Sequence, residues 1–363
     1  MRDTLDRFWK AFEPGHGDVK TLQAMEGLRA IAVFLVFLVH YAALFEVWLP
    51  SGSVSAFVSR HMASIGNAGV DLFFVISGFL IYRMLVRRPR PLPTYLGRRI
   101  QRIYPTFLAV LALYVVVSWV LPSVSKLPSD PGAQVVYLIQ NLFLLPGIFD
   151  IEPIITVAWS LSYEFCFYLA VPLVVWVFQL RRWAPATRLV VISVLCVLVF
   201  LGMRTVRGAP YQMLMFGSGM LLSDALLARG NRHWPALGIP ALLLSFVGMI
   251  LILELQMSSR WRLWLLFILY FFVVMESIRG LGPFARFCSL TPLRRFGNMS
   301  YSYFLLHGFA VRMAMEVIAR VWPASWSNAA GFWLLLMPVF LFSIIPCAAL
   351  FLWVERPLSL ERR

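Results

Sequence analysis

The sequence predicts an all-α fold: a polytopic integral membrane protein of about ten transmembrane helices, with one short interfacial or re-entrant helix besides. Composition is the first ground. Of 363 residues, 60% are hydrophobic and 13% charged, with a mean hydropathy of +0.78. A soluble domain carries roughly 45–50% apolar and about 25% charged residues. Length is the second ground. At about 20 residues per crossing, ten crossings need about 200 residues, close to what the apolar fraction supplies. No soluble domain of ordinary size fits in the remainder. The third ground is the placement of charge, which falls between apolar runs rather than along one helix face.

Taken in order, the apolar runs predict crossings at 28–45, 68–86, 104–121, 157–179, 188–204, 209–228, 234–254, 262–278, 299–320 and 331–354. The piece 135–147, bracketed by Pro131 and Pro146, is too short to cross and reads as an outer interfacial or re-entrant helix. Arg88-Pro89-Arg90-Pro91-Leu92-Pro93 reads as a stiff connector. With the N-terminus inside, segments 1–29, 83–102, 181–188, 229–232, 279–295 and 356–363 are cytoplasmic and hold 24 of the 32 Lys and Arg. The other eight are Arg60, Lys126, Arg204, Arg207, Arg260, Arg262, Arg312 and Arg320. That asymmetry obeys the positive-inside rule for an even number of crossings and puts both termini in the cytoplasm.

The expected organisation is a cytoplasmic segment at 1–26, a transmembrane domain at 27–356 and a short cytoplasmic tail at 357–363. Some 25 mostly polar residues precede the first crossing and no small-residue cleavage site follows it, so no signal peptide is expected. The net charge of +15 points to topology signals and phosphate-bearing ligands, not nucleic acid. Only Lys10, Lys20 and Lys126 are lysines, and arginine suits bidentate phosphate or carboxylate contacts. Cys166, Cys196, Cys288 and Cys347 have neither metal nor disulfide spacing and read as small buried hydrophobes. No metal is expected.

The candidate chemistry starts at His40. From Ala30 to Val39 the first crossing holds nothing polar, so its imidazole is a costly and functionally suggestive group. Imidazole serves as general base or nucleophile near neutral pH. At 1.5 Å per residue, His40 sits about 16 Å above Arg29 and about 8 Å below the outer end of its helix. Glu164, in Trp159-Ser160-Leu161-Ser162-Tyr163-Glu164, lies about 10 Å below the outer surface on an opposed crossing. Depth therefore permits a carboxylate–imidazole pair, although two unrelated polar residues satisfy the same pattern. Asp71, near the outer end of the second crossing, either lines a cavity or sits at the interface. Ser77-Gly78 reads as a close packing point. Arg98 and Arg102 share a helical face at i, i+4, which suits a polyanion and equally an inside-positive anchor. His307, eight residues into the ninth crossing, either hydrogen-bonds structurally or lines a cofactor cavity. Asp224 and Glu276 lie towards the inner ends of their crossings and need only snorkel.

These pieces together resemble the membrane-bound acyltransferase-3 family. The match runs through Gly27-Leu28-Arg29 to His40, Gly69-Val70-Asp71 to Phe79-Leu80, Arg98-Arg99-Ile100-Gln101-Arg102-Ile103-Tyr104-Pro105, Trp159 to Glu164, and Ser300-Tyr301-Ser302-Tyr303 to His307, in order over roughly 20–356. The resemblance implies a ten-helix domain in a bacterial inner membrane, a cytoplasmic acyl-coenzyme A donor (acetyl-coenzyme A by default) and an acceptor hydroxyl on a sugar or glycan. It implies an essential histidine at His40, with Glu164 and Asp71 as further catalytic candidates. Arg29, Arg98, Arg99, Arg102, Tyr104 and His307 are then the donor-binding candidates. Some members append an extracytoplasmic hydrolase-like domain; here that activity is expected to be missing or on another polypeptide. Two other classes stay open. One is a glycan or glycolipid transporter with His40 and Glu164 as a proton relay, for which no inverted repeat is evident. The other is a non-catalytic scaffold, which leaves five polar motifs within apolar crossings unexplained.

Overall fold

The computed structural model describes residues 9, 11–13, 20–88, 90–122, 125–202, 211–229, 235–322 and 329–360. Of the residues used in the charge argument, Arg2, Arg7, Lys10, Arg204, Arg207, Arg232, Arg362 and Arg363 lie outside them. Among the described residues the fold is all helical, apart from an isolated bridge between Pro146 and Phe149. The longer helices are α1 (Lys20–Phe45), α2 (Val54–Gly66), α3 (Ala68–Arg87), α4 (Leu92–Val120), α5 (Pro131–Leu142), α6 (Ala158–Val177) and α7 (Pro185–Gly202). They are followed by α8 (Leu214–Arg229), α9 (Gly238–Glu254), α10 (Ser259–Arg279), α11 (Pro283–Cys288), α12 (Thr291–Asn298), α13 (Ser300–Val321) and α14 (Ala329–Leu350). The last helix runs on in π-helical turns over Phe351–Leu360.

Each expected crossing coincides with a helix, but the count of ten is not reached by length and composition. Among the described residues seven segments are long and apolar enough to cross a membrane: Gln23–Trp48, Val54–Arg87, Leu92–Val120, Ala158–Val177, Pro185–Gly202, Ser259–Arg279 and Ala329–Leu360. Helix α8 has 16 residues and α9 has 17, both under the length of a full crossing. Helix α13 has the length but carries Arg312, Glu316 and Arg320. The short outer piece is α5, capped by Asp130, whose carboxylate accepts from Ala133 N at 2.7 Å, with Pro131 opening the first turn.

Contacts divide the chain into two compact units. One comprises Met1–Ile76 and Gly230–Ala349, the other Ser77–Arg229 and Leu350–Arg363. The first unit is built round α1. Ala24, Leu28, Ala32, Val33, Phe37 and Tyr41 on that helix are fully buried, a spacing of four and five residues that keeps one face inward. Helices α2, α10, α11, α12 and α13 pack on it. Two glycines permit the closest crossings: a side chain at Gly27 would strike the Cys288 carbonyl, and one at Gly297 the Glu26 carbonyl. Glu276, expected to snorkel, is instead 3% exposed and accepts from Gly238 N at 2.6 Å and Phe284 N at 3.0 Å. One carboxylate thus caps the starts of α9 and α11, because buried backbone N–H groups at helix starts demand acceptors.

The second unit packs α4 against α6 and the C-terminal π-helical turns, and α7 against α8. Asp224 also does not snorkel. It is fully buried and receives Arg188 through Nε at 2.9 Å and Nη2 at 2.7 Å, with the Tyr82 hydroxyl donating at 2.6 Å. The fourth helix begins at Leu92, ahead of the expected crossing, so the basic run Arg98–Arg102 rides on helix rather than in a loop. Gly78 is the expected packing point: a Cβ there would collide with the Phe216 carbonyl.

Candidate active site

In the first unit, α1 and α13 bring together two histidines that stand 267 positions apart in the chain. The rings of His40 and His307 lie edge to face, 4.9 Å between centroids and 69° between planes. His307 is fully buried, whereas His40 is half-buried. Nδ1 of His307 lies 2.8 Å from the Tyr303 carbonyl and 2.9 Å from the Phe304 carbonyl. Carbonyls only accept, so Nδ1 carries the hydrogen and, in the neutral ring, Nε2 carries the lone pair. That Nε2 is buried and has no hydrogen-bond partner. Among the described residues no hydrogen bond ties down either ring nitrogen of His40.

The ring of His307 is held from behind. Tyr303 stacks on it at 5.2 Å with 10° between planes. Ser343 gives its only hydroxyl hydrogen to the Phe340 carbonyl at 2.7 Å, so the 2.7 Å contact with Tyr303 has the phenol donating. Backbone carbonyls and a stacked, hydrogen-bonded tyrosine therefore set both the tautomer and the plane of His307. The Tyr303–Ser343 support, which crosses from α13 to α14, has no signal in the sequence beyond the Ser-Tyr-Ser-Tyr run itself.

Asp71 is deeper than expected. Helices α2 and α3 form one broken segment of 34 residues, Val54–Arg87, which puts Asp71 near its middle and not its outer end. A Cβ on Gly69 would lie 3.0 Å from the Leu35 side chain, and one on Gly66 would lie 3.1 Å from the Val39 nitrogen. The chain thus descends along α1 as it approaches Asp71. The carboxylate is 1% exposed and neither oxygen has a hydrogen-bond partner. Arg262 supplies the opposing charge, and the buried hydroxyl of Tyr270 lies in the field of Asp71. No hydrogen bond joins Asp71 to His40. Arg29 is half-buried on α1, and Glu26 lies within its field.

In the second unit Glu164 is half-buried and accepts from Ser77 Oγ at 2.8 Å and from the Tyr168 hydroxyl. Ser77 is thus more than a packing residue. The Arg99 guanidinium lies over the rings of Tyr95 at 5.7 Å and Tyr168 at 5.6 Å, a cation–π arrangement, and its buried Nε has no partner. The basic run serves three environments. Arg98 is exposed, Arg99 is sandwiched by aromatics, and Arg102 pairs at 2.7 Å with Glu355, which is fully buried. Tyr104 sets its ring edge-on to Phe107 and Phe165. Glu164, which depth permits to meet His40, falls in the other unit.

The model of an acyltransferase domain matches residues 22–352, which takes in every one of these positions except Glu355. The chain belongs to the acyltransferase-3 family. An O-acetyltransferase of Staphylococcus aureus, OatA, is 25% identical over 341 residues, covering 84% of this chain and 52% of that protein. The acyltransferase MdmB of Streptomyces mycarofaciens is 32% identical over 176 residues, 47% of this chain and 43% of its own. An uncharacterized Haemophilus influenzae protein is 33% identical over 118 residues, 29% of this chain and 47% of its own. The chain thus spans about half the length of the curated relatives it matches. No solved structure matches it. Family membership carries an acyl donor and an acyl-transfer chemistry as expectations for the residues just described.

Proposed function

We propose that this protein is a membrane O-acyltransferase that moves an acyl group, acetyl by default, from cytoplasmic acyl-coenzyme A to a hydroxyl of a sugar or glycan. The observation that carries this reading is the His40–His307 pair inside a family domain that spans both residues. The acetyl choice follows the O-acetyltransferase relatives. In this reading the domain is 27–356, helices α8, α9 and α13 complete the ten crossings, and both termini face the cytoplasm of a bacterial inner membrane.

The reaction conserves every atom. His40 takes the proton of the acceptor hydroxyl as its oxygen attacks the thioester carbonyl. The tetrahedral adduct collapses, the C–S bond breaks, and the coenzyme A thiolate receives the proton from the His40 imidazolium. A transient acyl group on His40 is the two-step variant, in which the thiolate leaves before the hydroxyl arrives. Exposed Arg98 and aromatic-bound Arg99 are the cations best suited to the donor's phosphates, with Tyr104 on the same helix. Arg102 contributes through its hold on Glu355. Asp71 is the carboxylate that stabilises positive charge as it develops on imidazole.

His40→Ala tests the assignment. The full chain in proteoliposomes, supplied with acetyl-coenzyme A and methyl glycosides, is assayed for free thiol and for acylated sugar. The expected outcome is a loss of transfer of about 10²-fold or more with an unchanged thermal midpoint. Full transfer by a normally folded variant would end the reading.

A further inference from the structure

Within that reading, the structure assigns His307 a task beyond lining a cavity: we propose that it is a positioning residue whose Nε2 accepts an N–H of His40, leaving the other His40 nitrogen as the basic one. Three observations meet here. The first is the tautomer. With Nδ1–H given to the carbonyls of Tyr303 and Phe304, the only atom His307 has left to offer is an acceptor. The second is vacancy of partner. Nε2 is wholly buried and unsatisfied, a condition a packed interior corrects unless a moving group completes it. The third is the neighbour. His40 lies 4.9 Å away between centroids and has no hydrogen bond restraining its ring.

Rotation of His40 about its Cβ–Cγ bond, a torsion that is soft in histidine, is the movement the proposal requires to turn a ring N–H toward His307. Catalytic hydrogen bonds are commonly long before substrate arrives and close in the reactive complex. A neutral imidazole would thus hold the tautomer of His40 as a carboxylate does in a serine-hydrolase triad, without bringing a second buried negative charge into an apolar unit. The Tyr303 stack and the Ser343 hydrogen bond keep the accepting ring in plane.

Two substitutions at one position test this. His307→Asn retains a donor for the Tyr303 and Phe304 carbonyls but places no acceptor where Nε2 stood. His307→Gln reaches that place with an amide oxygen. With acetyl-coenzyme A and methyl glycosides in proteoliposomes, His307→Asn is expected to lower kcat by about 10²-fold or more, with KM for acetyl-coenzyme A unchanged. His307→Gln is expected to recover at least tenfold of that loss. A normally folded Asn variant with the parent's kcat overturns the proposal, as does a loss confined to KM, which would make His307 a donor-binding group. Should the Asn variant not fold, Gln decides: activity no higher than that of His40→Ala, in a folded protein, overturns it too. The two readings fail separately. An active His40→Ala variant ends the catalytic role of His40, whereas an inactive His40→Ala beside a fully active His307→Asn ends only the dyad.

Discussion

Two buried clusters, one in the first unit and one in the second, treat their polar groups in opposite ways. In the second, Asp224 receives Arg188 and Tyr82, and Arg188 gives its Nη1 hydrogens to the carbonyls of Leu180 at 3.0 Å and Trp183 at 2.7 Å. Every group in that cluster has an answer inside the protein. In the first, His307 Nε2 and both oxygens of Asp71 are buried without one. A satisfied network holds helices together and does nothing else, because no valence is left to offer a ligand. An unsatisfied buried acceptor costs roughly 1–3 kcal/mol, so its persistence marks a place where something else arrives.

The largest way to break this contrast is through the satisfied cluster. Arg188→Leu leaves Asp224 buried and facing only the Tyr82 hydroxyl. Removing one partner of a buried ion pair typically costs about 3–5 kcal/mol, and the expected result is a fall of that size in unfolding free energy in detergent. The double variant Arg188→Leu with Asp224→Leu is expected to recover most of it, since hydrophobic replacement of a buried pair is often neutral. A double variant as unstable as the single one would mean that the cluster acts through Tyr82 or the backbone rather than through paired charge.

The complementary test falls on Asp71. Asn keeps its shape and removes its charge. Because no hydrogen bond is lost, Asp71→Asn is expected to leave the thermal midpoint in place or raise it, while kcat for transfer falls about tenfold, roughly 1.4 kcal/mol of transition-state stabilisation. A lowered midpoint with unchanged kcat would move Asp71 to the structural side, with Arg262 as its partner.

How much of this was legible beforehand follows from what each feature depends on. Helices such as Ala68–Arg87 and Ala158–Val177 are written in hydrophobic length, a local quantity, and their bounds agree with the expected crossings to within two residues. Helix α2 was not expected, because Ser55, Ser59, Arg60 and His61 break the apolar run that signals a crossing. His40 was legible as an imidazole with nothing polar near it in sequence. Its neighbour His307 was legible as a residue but not as a neighbour, since their meeting depends on how α13 packs on α1. Glu276 and Asp224 were misread for the same reason. Proximity to a helix end suggests snorkelling, and only tertiary structure shows backbone N–H groups or a guanidinium waiting for the carboxylate.

The smallest expected effect separates the arginines of the basic run. Arg98 is exposed and Arg102 is committed to Glu355 at 2.7 Å, although both sit on one face of the same helix. If the run binds donor phosphates, Arg98→Ala is expected to raise KM for acetyl-coenzyme A several-fold, the equivalent of about 1 kcal/mol for one solvent-exposed charge contact. The effect should shrink as ionic strength rises, and kcat and the thermal midpoint should not move. Arg102→Ala differs in kind. It leaves Glu355 buried without its cation, so its first effect should be on the midpoint, with any change in KM following from misfolding. Equal KM shifts in both variants at equal stability would mean that Arg102 leaves Glu355 to meet the donor. An unchanged KM in Arg98→Ala would reduce that residue to an inside-positive anchor and leave Arg99, held between Tyr95 and Tyr168, as the cation of the run with an unfilled donor to offer.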